Sequence, residues 1–121
     1  MSYRKIPNEF TVGGQKLEVK SVERCEDNSF GQECIAAGYV QIAEKFNKDQ
    51  VQTETSKINT FYHELTHCIL DTMGESELSR NEKFVCCFAG FLTEAMKDAY
   101  FSVIDAYGED MAATVRLADR F

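Results

Sequence analysis

Phe61-Tyr62-His63-Glu64-Leu65-Thr66-His67-Cys68-Ile69-Leu70 lies inside a run whose apolar positions are Ile58, Phe61, Tyr62, Leu65, Cys68, Ile69 and Met73. These recur at steps of three and four residues, the period of a helix with one face against a core. The spacing predicts an amphipathic helix from about Thr53 to Met73, stopped at Gly74. Within it, His63-Glu64-Leu65-Thr66-His67 is an H-E-x-x-H pattern. Residues four apart stand one turn apart on the same face. Two imidazoles so placed can reach one ion at about 2.0–2.1 Å. Glu64 projects about 100° round from His63, where it can take a proton from a water instead of ligating the metal. Zinc in such a site makes that water more acidic and polarises a scissile carbonyl, and the carboxylate acts as general base. His63 and His67 are the chain's two histidines. Both are expected on the side of the helix opposite the stripe centred on Leu65.

Catalytic zinc usually has three protein ligands and one open position. With no third histidine, a carboxylate is the natural completion, and a thiolate a weaker one. Glu82 is the first choice, in the opening turn of the next predicted helix, where it can point back to the histidines. Its competing role is structural, because Ser79-x-x-Glu82 is also a capping-box pattern. Asp71, one turn beyond His67, would have to reach back along its own helix, which suits an orienting or helix-end role. Glu75 and Glu77 lie in the connecting loop and are weaker candidates. Cys86, one turn beyond Glu82, can also approach the metal. Cys86 and Cys87 are too close for a normal helical disulfide.

Outward from this centre, the first half reads as strands. Phe10 and Val12, then Leu17, Val19 and Val22, are apolar positions near a two-residue period. Gly13-Gly14 between them signals a hairpin turn. A second hairpin is expected from Gln32–Ile35, a turn at Ala36-Ala37-Gly38, and a return at Tyr39–Ile42. The second half reads as helices. One begins near Ser79, with apolar Phe84, Val85, Phe88, Ala89, Leu92, Ala95, Met96 and Ala99, wide enough to be the main core helix. It either breaks near Lys97-Asp98 or runs on to Tyr107. A last short helix is predicted over Glu109–Arg120, on Met111, Val115 and Leu117. The fold class is α+β, with N-terminal β-hairpins packed on the H-E-x-x-H helix and a second long core helix. Residues 1–121 form a single domain.

The bulk properties narrow the function. A formal charge of −7 with no basic stripe argues against nucleic acid as a partner. No apolar run is long enough to span a membrane, and the N-terminus lacks a signal-like segment. The five cysteines, at 25, 34, 68, 86 and 87, match no disulfide or ribbon spacing. They read as reduced, buried small hydrophobes of a cytoplasmic protein.

Phe61–Leu70, then Met73-Gly74, Asn81-Glu82-Lys83-Phe84-Val85, Phe88-Ala89 and Leu92, resembles the small zincin-like proteins of phages and prophages. It is similar to the broader gluzincin pattern and, more distantly, to the ImmA/IrrE group of repressor-cleaving peptidases. The resemblance, best over Ile58–Leu92, implies a minimal zincin fold, metal ligands at His63, His67 and Glu82, and a catalytic base at Glu64. It implies an edge strand that holds substrate backbone as an added strand, with 39–43 the candidate. Larger gluzincins often carry an acidic orienting residue four past the ligand glutamate, and here that position is Cys86. They also place a His or Tyr on the oxyanion, for which Tyr39, Tyr62, Tyr100 and Tyr107 are candidates. The leading expectation is a zinc metallopeptidase acting on a peptide or protein. The alternative is a catalytically silent zinc-binding interaction module on the same scaffold. A purely structural zinc domain would leave Glu64 without a task.

Overall fold

Two glycines at positive φ, Gly13 at 58° and Gly14 at 83°, turn the first hairpin between β1 (Glu9–Val12) and β2 (Gln15–Val22). A second hairpin joins β3 (Gly31–Cys34) to β4 (Tyr39–Ala43). The computed structural model describes residues 6–97 and the strands at 100–104 and 110–116. The two hairpins merge into one sheet of order β1-β2-β4-β3, because β2 and β4 pair in parallel, with Val19 opposite Val40. The sheet is therefore mixed. β4, expected as the edge, is an inner strand flanked on both sides, and the edge on that side is β3. The parallel pairing of β2 with β4 is a long-range contact that strand periodicity does not encode.

A short ribbon of β5 (Lys45–Phe46) and β6 (Gln50–Val51) leads into α1 (Glu54–Thr72). Thr53 caps that helix, its side chain accepting the Ser56 N–H, and Gly74 ends it at φ 82°. The core is the apolar face of the sheet pressed on α1. Leu17, Val40, Ile42, Phe61, Tyr62 and Cys68 are buried there, joined by Ala89. Complete burial of Leu17 and Val40 contributes about 1.5–3 kcal/mol each. Phe10 meets Phe61 edge-on at 5.6 Å. Lys57 ties the start of α1 to the end of β4, reaching Glu44 at 2.5 Å and Glu54 at 3.2 Å. That hydrogen-bonded pairing holds the Glu44 carboxyl below its ordinary range and raises the Lys57 ammonium.

Gln52 is the buried polar joint of this arrangement, 2% exposed. Its amide donates to the carbonyls of Ala43 and Phe30, and its oxygen accepts from the hydroxyls of Ser56 and Thr60. A Gln52→Ala variant strands those partners in a buried place. It is expected to lose on the order of 2–4 kcal/mol of stability, read from urea unfolding midpoints. A loss under about 0.5 kcal/mol would mean that water replaces the amide.

After α1 the chain makes one short turn, α2 (Ser76–Ser79), before α3 (Glu82–Lys97). The helix expected to begin near Ser79 is thus two elements. Asn81 caps the second, its side chain accepting the Phe84 N–H. Ser79 is part of α2 and does not open a capping box. α3 turns Val85 and Ala89 inward, whereas Phe88 is 47% and Phe91 73% exposed. The apolar stripe of α3 is therefore wider than the surface it covers, and α1 is the principal core helix.

The predicted last helix is overturned. Beyond Lys97 the chain forms β7 (Tyr100–Ile104) and β8 (Asp110–Arg116), antiparallel, with Phe101 opposite Val115. Tyr100-Phe101-Ser102-Val103-Ile104 is aromatic and β-branched, which favours a strand. The positions 111, 115 and 117 that suggested a helix are spaced in the sequence by even numbers, which strand alternation also produces. Tyr107 and Leu117 lie outside the described residues. Among the described residues, no helix is long and apolar enough to cross a membrane. Five thiols are free. Cys25 and Cys68 are buried as expected, but Cys86 and Cys87 are exposed.

Candidate metal centre

Burial around α1 is not one-sided. Phe61, Tyr62 and Cys68 face the core, while Thr60, Glu64 and Thr66 are also buried. His63 and His67 keep about a fifth of their side-chain surface exposed, 21% and 16%. They border a cleft of about 660 Å³ between α1, β3 and the α2–α3 corner. The close approach of β3 depends on Gly31, where a side chain would collide with Thr60 and press on Glu64.

The α2 turn folds α3 back so that Glu82, in its first turn, meets both histidines. Nε2 of His63 lies 3.4 Å from Glu82 Oε2, and Nε2 of His67 lies 3.4 Å from Glu82 Oε1. The other ring nitrogens have their own partners. His67 Nδ1 is 3.0 Å from the Ser79 hydroxyl, and His63 Nδ1 is 3.9 Å from Cys86 Sγ. A proton on Nδ1 can be donated to each partner, which leaves the Nε2 lone pairs facing Glu82. Burial, and then His67, lowers the His63 pKa against the pull of Glu82. The neutral ring is the form that binds a metal.

Imidazole, carboxylate and thiol are donor types that a zinc-type ion takes. Two ligands at tetrahedral angles and about 2.0–2.1 Å from one ion stand about 3.3 Å apart, close to both imidazole–carboxylate spacings. Among the described residues, the group whose donor atoms all lie within 4.8 Å of one another is His63, Glu82 and Cys86; His67 is not in it, so the expected set of His63, His67 and Glu82 meets pairwise at Glu82 and not as one close cluster. Cys86 Sγ is 4.0 Å from Glu82 Oε2. The thiol is thus drawn into the cluster from the position where an acidic residue was anticipated.

Glu64 is 8% exposed and lines the same cleft, with no hydrogen bond or ion pair to its side chain among the described residues. Burial, helped by Glu33, Glu82 and Asp27, pushes its carboxyl up to about 8. Asp71 also lines the cleft, whereas Glu75 and Glu77 are exposed and do not. Of the tyrosines considered for an oxyanion role, Tyr62 is in the core and Tyr39 lies beside Lys20 on the sheet; neither borders the cleft.

The sequence reading missed Ser79 as a partner of His67, and it missed Glu33 and Arg80 on the cleft walls. Ser79 was visible as a hydroxyl beside the candidate ligand, but the capping pattern absorbed it. No protein-family model, curated protein or solved structure matches the chain.

Proposed function

We propose that the chain is a zinc-dependent metallopeptidase of the zincin type, hydrolysing peptide bonds in a peptide or protein. The observation that carries this reading is the Glu82 carboxylate lying 3.4 Å from each histidine Nε2, beside a buried and unpaired Glu64. His63, His67 and Glu82 would hold the metal. When bound, the metal supplies Lewis acidity, polarising a substrate carbonyl and making a water more acidic. Glu64 takes the proton of the attacking water and passes it to the leaving amine. The positive charge of a bound metal would favour its carboxylate form, which the first task needs. Ser79 and Cys86 hold the imidazole rings in the ligating orientation. An extended substrate adds as a strand along the open edge of β3, which replaces the 39–43 strand in that role. Five free thiols suit a reducing, cytoplasmic setting.

A second reading has its own observation. Cys86 Sγ lies within 4.0 Å of Glu82 Oε2 and 3.9 Å of His63 Nδ1. If it ligates, the site has four protein ligands and no open position, and the chain is a zinc-binding interaction module. Cobalt substitution separates the two. A sulfur-to-cobalt charge-transfer band in the near ultraviolet marks the closed site, and its absence the open one. Zinc content of about one per chain, followed by cleavage of a broad peptide library, tests the enzyme. A folded, metal-loaded protein that cuts nothing would sink that reading.

Ser79→Ala removes the hydroxyl at His67 Nδ1. Zinc affinity is expected to fall about 10–100-fold in competition with a chelator, with the fold retained. An unchanged affinity would remove Ser79 from the site.

A further inference from the structure

Outside the cleft, Glu9 pairs with Lys16, Glu23 with Lys45, Asp49 with Arg24, and Glu44 with Lys57. The cleft gathers more acids than cations. Asp27, Glu33, Glu64, Asp71 and Glu82 line it against a single cation, Arg80. Glu64 and Glu82 have tasks in the proposed chemistry, and Asp27 accepts the N–H and hydroxyl of Ser29. Glu33 and Asp71 are left. Neither carboxylate has an ion pair within the described residues, and the Glu33 carboxyl has only a backbone hydrogen bond at Ile35.

Their position gives them meaning. Glu33 is on β3, the edge strand, two residues from Gly31 and so on the same face, the one that packs on α1. Burial, and then Asp71, raises its carboxyl, with His67 opposing. The two acids thus stand together next to the histidines, at the edge where an extended chain would pair. Glu64, more than nine-tenths buried and without a partner, is aimed into the same space. A half-buried Glu33 beside an exposed Asp71, neither paired with a cation among the described residues, is a receptor for one from outside.

We propose that this cleft selects peptides carrying a lysine or arginine side chain, received between Glu33 and Asp71. The proposal rests on the peptide-processing reading of the same cleft. An ammonium or guanidinium placed there neutralises two like charges that otherwise repel. Its stem runs along the β3 edge, and charge-assisted hydrogen bonds fix the register of the substrate backbone against Glu64. The selection weakens as salt screens the pair.

The test uses zinc-loaded protein and three decapeptide pools, identical except for one position fixed as lysine, norleucine or glutamate. Cleavage is followed by mass spectrometry. Affinity for the same pools is measured on Glu64→Gln protein, so that binding is read without turnover. The lysine pool is expected to exceed the norleucine pool by about 10–100-fold, with glutamate last. Glu33→Gln and Asp71→Asn, each checked for folding by circular dichroism, should each shrink the lysine-to-norleucine ratio. Equal treatment of lysine and norleucine, a ratio unchanged in both variants, or no binding of any pool overturns the proposal. Cleavage without lysine preference overturns it and leaves the peptidase reading standing. Lysine-selective binding without cleavage supports it and removes the enzyme.

Discussion

Glu64→Gln is expected to lower peptide hydrolysis by about 10²–10⁴-fold, the usual contribution of a general base, with zinc content and fold intact. Glutamine has the shape of glutamate but cannot accept the proton. The fold loses little, because among the described residues the Glu64 side chain makes no hydrogen bond or ion pair that the substitution would break. Burial and the neighbouring carboxylates Glu33, Glu82 and Asp27 instead work against its charged form. A neutral amide removes that repulsion, so thermal stability should hold or rise. Zinc is expected to stay, because the donors proposed for it are the two Nε2 atoms, each 3.4 Å from a Glu82 oxygen, and not Glu64. The measurement is kcat/KM on a cleaved peptide, with metal content and melting temperature on the same preparation. Activity within twofold of wild type would remove Glu64 from the chemistry. Loss of zinc along with activity would make it a ligand.

The parts of this structure that were legible in sequence are those set by local periodicity. The first hairpin follows from Gly13-Gly14 between alternating apolar residues, and α1 from its three-and-four spacing with Thr53 before it and Gly74 after it. H-E-x-x-H was legible because a helix turns a spacing of four into proximity. Glu82 was a harder inference, resting on where a second helix would start. The α2 turn that brings it back to the histidines has no periodic signal, being four residues long. Long-range choices were not legible. Whether β2 pairs with β4 decides which strand is the edge, and nothing in residues 15–43 taken singly specifies it. The C-terminal hairpin shows a different failure. A spacing of four satisfies a strand face as well as a helix face, so Met111 and Val115 could not discriminate, whereas Leu117, two residues on, fits strand alternation and not a helix face. The β-branched and aromatic run at 100–104 was the better signal.

Zinc is expected to raise the melting temperature of the metal-free protein by about 12–25 °C when free metal is a thousandfold above its dissociation constant. An ion that binds only the folded state adds about 4.1 kcal/mol at that excess, and a chain of this length gains roughly 3–6 °C per kcal/mol. Glu82→Ala should remove most of that rise. The carboxylate is exposed at the start of α3, and among the described residues it has no cation besides the histidines within ion-pair reach. Its deletion therefore costs the metal-free fold little, while the metal loses one of three donors and the link between α1 and α3. Glu77→Gln serves as the control, since Glu77 is exposed on α2 and does not line the cleft. It should keep the full response. If Glu82→Ala and Glu77→Gln respond to zinc alike, Glu82 is not a donor, and Cys86 becomes the third ligand to test. If neither variant nor the wild type responds, the imidazoles and Glu82 are held together for a purpose other than a metal. The outcomes separate because deleting a donor weakens the metal-loaded state, whereas losing a surface charge alters both states equally.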